Sequence, residues 1–289
     1  MTLQYFAYLC TQKKGTCMLK FLCLGSGSSG NCYCLWTDND GILIDAGLGF
    51  RTMRRHLSSF GVDVKQFRTV LITHDHADHI KSVGKIATEL GLPIYSTKMV
   101  HEGIARNYCV TPKLKAHQQF FLEKDKTVQL GDFSVTAFPV PHDSNDCVGY
   151  RVEAEGVRFS LITDVGHVTE RIKEEVSTTN YLVLESNHDH EMLMAGPYPA
   201  HLKGRISGGT GHLSNTEAAE LLANSSSPQL RHVWLCHLSE ENNHPVLASK
   251  TVDSILRSYG IVPGVDFVVE VLRRKVPSAI YELAPVAVD

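Results

Sequence analysis

The sequence predicts an α/β sandwich, two β-sheets packed face to face with helices outside them. Short apolar strand-like runs recur in both halves of the chain, and helical stretches with one apolar stripe are interspersed among them without a long linker. Size and composition agree: 289 residues, 43% hydrophobic and 20% charged, are enough to bury a substantial core and are those of a globular chain.

Taken in order, MTLQYFAYLCTQKKGTC has no basic region ahead of its apolar part and no small-residue cleavage site, so it does not read as a signal peptide. Regular patterning begins near Met18; residues 1–17 read as an ill-ordered extension or a mis-assigned start, and residues 18–289 as a single domain. LKFLCLG, NCYCLWT and GILIDAG are short β runs separated by glycine-rich or Asp/Asn turns. FRTMRRHLSSFG predicts a helix with Phe50, Met53, Leu57 and Phe60 on one stripe, closed by Gly61. TVLITH predicts a buried strand and DHIKSVGKIATELG one helix ending at Gly91. PIYS, VQLGDFSVTAFPV, VGYRVEAEGVRFSLIT, YLVLES and HVWLCHL supply further strands; NTEAAELLANSS and PVLASKTVDSILRSYG supply helices. No sequence repeat stands out.

A formal net charge of −3 provides no global field to drive the chain onto nucleic acid or an anionic membrane, so any nucleic-acid contact must be local. The eight cysteines include no CxxC pair and read as reduced thiols of a cytoplasmic protein. No apolar run approaches the length of a bilayer span, and no membrane partner is expected.

The stretch THDHADHI, residues 73–80, crowds three histidines and two aspartates behind the apolar run TVLI. On an extended segment His74 and His76 point to one side. Asp78 and His79 follow a turn into the next helix and face a neighbouring point. Neutral imidazoles and carboxylates share lone pairs that a divalent cation collects, yet this stretch cannot complete a coordination shell. The missing donors are found at other strand ends: His142 in FPVPHD, held extended by Pro139 and Pro141; Asp164 in SLITDVG; His237 in HVWLCHL.

HxHxDH followed by His142, Asp164 and His237 resembles the metallo-β-lactamase superfamily, whose fold is a four-layer αββα sandwich with a dinuclear site. LGSGSSGNCY, ILIDAG, LESNHDHEML and GHLSN resemble its YycJ-like (WalJ-type) branch, associated with DNA exonuclease activity. The resemblance implies two divalent ions, zinc or manganese. His74, His76 and His142 would hold the first, Asp78, His79 and His237 the second, and Asp164 would bridge them. Asp45 in ILIDAG would orient ligands from behind, although a turn aspartate after a strand is the plainer reading.

A pair of cations about 3.5–4 Å apart lowers the pKa of a shared water and clamps a substrate oxygen. That kit serves phosphodiester, thioester or amide hydrolysis, and other residues must separate these. Glu185 in YLVLESNHD and His212 in GHLSNTEAAELL resemble the glutamate and histidine that tRNase Z relatives link for proton transfer near the leaving group. The plainer alternative is that Ser214 or Asn215 caps the following helix, with His212 incidental. The interval from Asp164 to His237 is too short for a β-CASP insertion, and that from His142 to Asp164 has no room for a tRNA-gripping arm.

GSGSSGN lacks the Lys-Ser/Thr ending of a P-loop and leads into a strand, so it predicts a tight turn, with Ser26, Ser28 and Ser29 as candidates to touch a phosphate. The segment AGPYPAHLKGRISGGTGH reads as irregular, a substrate-binding loop with Lys203 and Arg205 for charge and Tyr198 to stack on a base. His188, His190 and His244 read as surface polar residues or as ligand-orienting ones, and Arg273, Arg274 and Lys275 as a solvated face. The expected function is a metal-dependent phosphodiesterase, a nuclease acting on DNA, with a hydroxide between the ions as nucleophile, Asp78 to orient or deprotonate that water, and His212 and Glu185 to protonate the leaving oxygen. The alternatives are a small-molecule hydrolase of a cyclic phosphodiester or thioester, and a non-catalytic nucleic-acid-binding scaffold.

Overall fold

Residues 18–286 are described in the computed structural model; the expectation for residues 1–17 falls outside them. β1 (Leu19–Gly25), β2 (Cys32–Trp36) and β3 (Gly41–Ile44) pair antiparallel, and α1 (Phe50–Ser59) leads to β4 (Thr69–Leu71), parallel to β3. α2 (Ala77–Ile80), α3 (Val83–Lys85) and a π-helical turn, Ile86–Leu90, lead to β5 (Ile94–Ser96); α4 (Lys98–Arg106) leads to β6 (Gln119–Phe121), and both strands continue the parallel run. β7 (Thr127–Leu130), β8 (Phe133–Pro139), β9 (Val148–Ala154) and β10 (Val157–Ile162) pair antiparallel in sequence. Then come α5 (Glu170–Thr178), β11 (Tyr181–Glu185), α6 (His190–Ala195), α7 (Ala200–Ile206), α8 (Asn215–Ser225), β12 (His232–Cys236), α9 (Pro245–Ser258) and β13 (Val268–Val271), with β10 to β13 mutually parallel. β14 (Tyr281–Leu283) returns to pair antiparallel with β1.

The two sheets are ordered β14-β1-β2-β3-β4-β5-β6 and β13-β12-β11-β10-β9-β8-β7. Counted from β14 and from β7, each has three antiparallel pairings followed by three parallel ones. The halves therefore repeat one topology although no repeat stands out in the sequence. Both faces of the central strands are buried, which is why they read as unbroken apolar runs. Phe21, Tyr33, Leu35, Phe159 and Trp234 meet between the sheets. Their outward neighbours Leu22 and Cys34 pack beneath α1 and α4 with Met53 and Ile104, and Val233 and Leu235 pack beneath α8 and α9 with Leu222 and Val252.

The structure departs from two expectations. The helix read across residues 78–91 is broken at Lys81 and Ser82, because the Ser82 N–H bonds Ala46 O at 2.8 Å and its hydroxyl bonds the Leu48 carbonyl, while Asp78 O is taken by Asn31 N. The segment read as irregular contains α7, whose entry from Pro199 suits a helix start since proline has no N–H to satisfy. The helices α4 and α5, not expected, are each announced by a threonine cap: Thr97 accepts from Val100 N and Thr169 from Ile172 N. The six cysteines among the described residues are free. Among those residues no helix is long and apolar enough to cross a membrane.

Candidate metal centre

Parallel strands deliver their carboxyl ends to one rim, where loops can converge on a ligand. Asp45 follows β3, His74 follows β4, Asp164 follows β10, Glu185 ends β11 and His237 follows β12. Asp45, Asp164 and His237 all have positive φ, +62°, +56° and +55°. This region is costly for most residues, and aspartate and histidine enter it more readily; here it turns each side chain sharply off its strand. Asp45 and Asp164 hold equivalent places in the two halves, and the glycine two residues on allows close approach in both. A Cβ on Gly47 would lie 1.6 Å from Asp78 O, and one on Gly166 2.4 Å from Gly209 O.

The donor atoms of His74, His76 and His142 lie within 4.8 Å of one another, as do those of Asp78, His79 and His237, and those of His74, His79 and Asp164. Asp164 reaches from one group to the other, with Oδ1 3.7 Å from His142 Nε2 and Oδ2 3.2 Å from His79 Nε2. All seven side chains singled out in the sequence are thus brought together from separated loops.

Partners behind the rings set which nitrogen faces inward. His142 Nδ1 donates to Gly211 O at 3.0 Å, an oxygen that can only accept, so Nε2 keeps its lone pair. His79 Nδ1 donates to Asp45 Oδ2 at 2.7 Å and His237 Nδ1 to Glu185 Oε1 at 3.0 Å. His74 Nδ1 bonds Thr73 Oγ1 at 3.0 Å, and that hydroxyl and Thr73 N bond Asp45 in turn. Each of these four rings presents Nε2 to the cluster. His76 is reversed: its Nδ1 lies 3.4 Å from His142 Nε2, and its Nε2 faces Asp143 Oδ1 at 3.8 Å.

His74 Nε2 is buried and has no hydrogen-bond partner. Such an orphan is costly unless something other than a proton donor satisfies it, and a cation among these nitrogens and carboxylates does so. Burial, with His79 alongside, holds the His74 imidazole well below its usual pKa, in the neutral form a ligand requires. Burial works against ionisation of Asp78, but positive charge on His79 and His237, whose pKa values the surrounding carboxylates raise despite burial, outweighs it and brings the carboxyl down to about 2; a divalent ion would supply that charge in place of the ring protons. The residues therefore fit divalent metal ions.

Glu185, fully buried, joins this centre to His212. Oε1 accepts from His212 Nδ1 at 2.9 Å as well as from His237, while Oε2 takes the backbone N–H of Val165 at 2.7 Å and of Leu213 at 3.1 Å. Burial disfavours a charged His212, yet the Glu185 carboxylate prevails and raises its pKa. Ser214 does cap α8, in a reciprocal bond with Glu217; both readings of GHLSN describe real contacts. The His212 ring centroid lies 5.0 Å from that of His142 and 5.3 Å from that of His237.

Of the substrate candidates, Arg205 Nε bonds Asp143 Oδ2 at 2.6 Å beside His142. Lys203 Nζ instead bonds Met194 O at 2.6 Å, and Tyr198 lies in the turn between α6 and α7. Ser26 is fully buried and its hydroxyl is occupied by His237 N at 2.9 Å and Tyr33, so it cannot reach a ligand; Ser28 and Ser29 are exposed. His188 is buried, His190 is exposed and His244 caps α9. Among the described residues no metal-suited group includes them. Three residues escaped sequence reasoning: Thr73, Asp143 and Asn31. Asn31 Oδ1 accepts from Gly27 N at 2.7 Å, which turns its Nδ2 toward His79 Nε2 at 2.9 Å. The only signal for any of them was adjacency to the histidines or to the GSGSSG turn.

Two sheets in this topology with a histidine and carboxylate cluster at one rim define a metal-dependent hydrolase. The profile of the Beta-lactamase superfamily domain matches residues 41–238, and the chain belongs to the metallo-β-lactamase superfamily. It is similar to Exodeoxyribonuclease YycJ of Bacillus anthracis, 32% identical over 262 residues covering 91% of this chain and 98% of the relative. It is also similar to Exodeoxyribonuclease WalJ of Streptococcus pneumoniae serotype 2 (strain D39), 34% identical over 248 residues, 86% of this chain and 92% of the relative. Among solved structures, the metallo-β-lactamase fold protein YhfI from Bacillus subtilis shares the fold with a TM-score of 0.67 at 17% identity, covering 92% of this chain and 99% of that one. Zn²⁺-bound PqqB from Methylobacterium extorquens does so with a TM-score of 0.65 at 17% identity, covering 90% and 99%.

Proposed function

We propose that residues 18–289 form a single catalytic domain that cleaves phosphodiester bonds in nucleic acid, with DNA as the favoured substrate and exonuclease action as in the named relatives. The observation that carries this reading is the Glu185–His212 pair set against the ligand cluster. A thioester leaves as a stable thiolate and needs no such acid, whereas an alkoxide leaving phosphorus does. The names of the YycJ and WalJ relatives support the same substrate class.

His74, His76 and His142 would hold one divalent ion, zinc or manganese, and Asp78, His79 and His237 a second, with Asp164 between them. When bound, such ions supply Lewis-acid charge and an acidified water. The chain's own residues do the rest. Asp78, ionised and at the mouth of the second group, orients or deprotonates the attacking water. His212, with Nδ1 tied to Glu185, gives the proton on Nε2 to the departing oxygen, and Glu185 stabilises the charged imidazole before that transfer. Asp45 and Thr73 fix the rings of His79 and His74. Arg205, at the rim beside His142, meets substrate phosphate, and Tyr198 and Lys203 line the same α6–α7 arm.

The test is to incubate the metal-loaded protein with 5′-labelled single- and double-stranded DNA, RNA, bis(p-nitrophenyl) phosphate and a lactoyl thioester. Cleavage of DNA is expected. Hydrolysis of the thioester alone would overturn the nuclease reading, and inactivity on the whole set would favour a binding scaffold.

A further inference from the structure

Two arginines approach the ligand cluster at different members, one beside His142 and one at the loop that follows His237. On the His142 side, Asp143 holds Arg205 Nε at 2.6 Å, and Asp143 Oδ1 lies 3.4 Å from His142 Nε2. The Arg205 side chain is 58% exposed, and among the described residues no hydrogen bond uses its two terminal amino groups.

On the His237 side, Arg274 comes from the segment joining β13 to β14. Its Nη1 donates to Ser239 O at 2.8 Å, two residues beyond His237. Its stem crosses Gly27, at φ +147°, where a Cβ would stand 2.9 Å from Arg274 Cγ. Gly27 follows Ser26, whose hydroxyl receives His237 N. The nearby carboxylate of Glu240 is 3.9 Å from Arg274 Nη2 but 3.1 Å from Lys275 Nζ, so Lys275 neutralises it and the Arg274 charge is left over. The exposed Ser28 and Ser29 lie one and two residues past Gly27.

Cleaving an isolated phosphodiester requires neither arginine. A polynucleotide carries a phosphate at the next link, and a 5′-phosphorylated end carries another beyond the terminal link, so the groups flanking a scissile terminal phosphate fall to either side of the cations. We propose that Arg205 and Arg274 hold those two flanking phosphates, which makes the site selective for a polynucleotide strand over a lone phosphodiester. The proposal rests on the nuclease reading of the same site. Both arginines are positioning residues, since neither reaches the reacting atoms. Guanidinium suits the task because it stays charged and pairs two donors with two phosphate oxygens.

The experiment uses the metal-loaded full chain and its R205Q, R274Q and R274K variants, with a 5′-phosphorylated single-stranded oligodeoxynucleotide and bis(p-nitrophenyl) phosphate as substrates. The slope of log(kcat/KM) for the oligonucleotide against log[KCl] should flatten by about 0.7 in R274Q, whose arginine carries the surplus charge, and by less in R205Q, because Asp143 already offsets part of the Arg205 charge. KM for the oligonucleotide should rise about tenfold with kcat nearly constant, and the preference for oligonucleotide over bis(p-nitrophenyl) phosphate should shrink. R274K, which keeps the charge, should keep the wild-type slope. If Arg274 merely pins the loop after His237, R274Q will lower kcat or thermal stability and leave the slope unchanged, and the proposal is wrong. Wild-type protein that hydrolyses only bis(p-nitrophenyl) phosphate or a thioester removes the nuclease reading itself, and this shows without any variant.

Discussion

Asp45 offers the sharpest test of the proposed centre, because it is fully buried and touches no substrate. One of its oxygens takes His79 Nδ1 at 2.7 Å, and the other takes Thr73 N at 2.9 Å. In D45N the new amide oxygen is retained by the Thr73 N–H, so the amide NH₂ must face His79 Nδ1. That nitrogen can then only accept, the ring proton moves to Nε2, and the atom aimed at Asp164 and Asp78 loses its lone pair. Asparagine tolerates the +62° backbone of this position, so the fold should survive. Substitution of a carboxylate behind a ligating histidine lowers metal affinity by about 10–100-fold, or about 1.4–2.7 kcal/mol. Competition with a chromophoric chelator would measure it, with circular dichroism to check folding. The weakening should fall on one ion of the pair, the one served by His79. A folded D45N protein whose affinities for both ions stay within about twofold of wild type would refute the tautomer reasoning.

Three further outcomes are expected. H212A should lower kcat on DNA by about 10²–10⁴-fold with bound metal unchanged, and undiminished turnover removes the proton-donor role. S214A removes the cap whose hydroxyl accepts Glu217 N at 3.2 Å, so urea unfolding should show a loss of about 0.5–2 kcal/mol; an unchanged midpoint would mean Glu217 holds the helix start alone. W234A empties the space between the sheets where Trp234 lies 4.6 Å from Phe21, centroid to centroid, and should cost about 3–5 kcal/mol in the same assay. A loss below about 1 kcal/mol would show that the inter-sheet layer collapses to fill the gap.

The sandwich could be read in advance because burial on two faces demands unbroken apolar runs, and TVLI, YLVL and HVWLC have no other use. The candidate ligands could be read because each such run ends abruptly in an aspartate, glutamate or histidine. Boundaries failed where contacts distant in sequence intervene: Ser82 bonds Ala46 and Leu48 and breaks a helix that periodicity alone would continue, and α7 forms in a segment whose glycines and prolines suggest loop. The twofold topology was present as IDAG and TDVG, but a four-residue match is too short to see until both aspartates are found in the same backbone conformation.

Chain chemistry alone dictated the donor types, their order and the rim they would occupy, since side-chain composition and strand periodicity are local properties. Packing in three dimensions settled the remainder: which nitrogen of each imidazole faces inward, Glu185 serving His212 and His237 together, and Arg274 brought across Gly27 to Ser239 from more than thirty residues away. Those features depend on atoms meeting across the fold at hydrogen-bond distance, and no local pattern encodes such meetings.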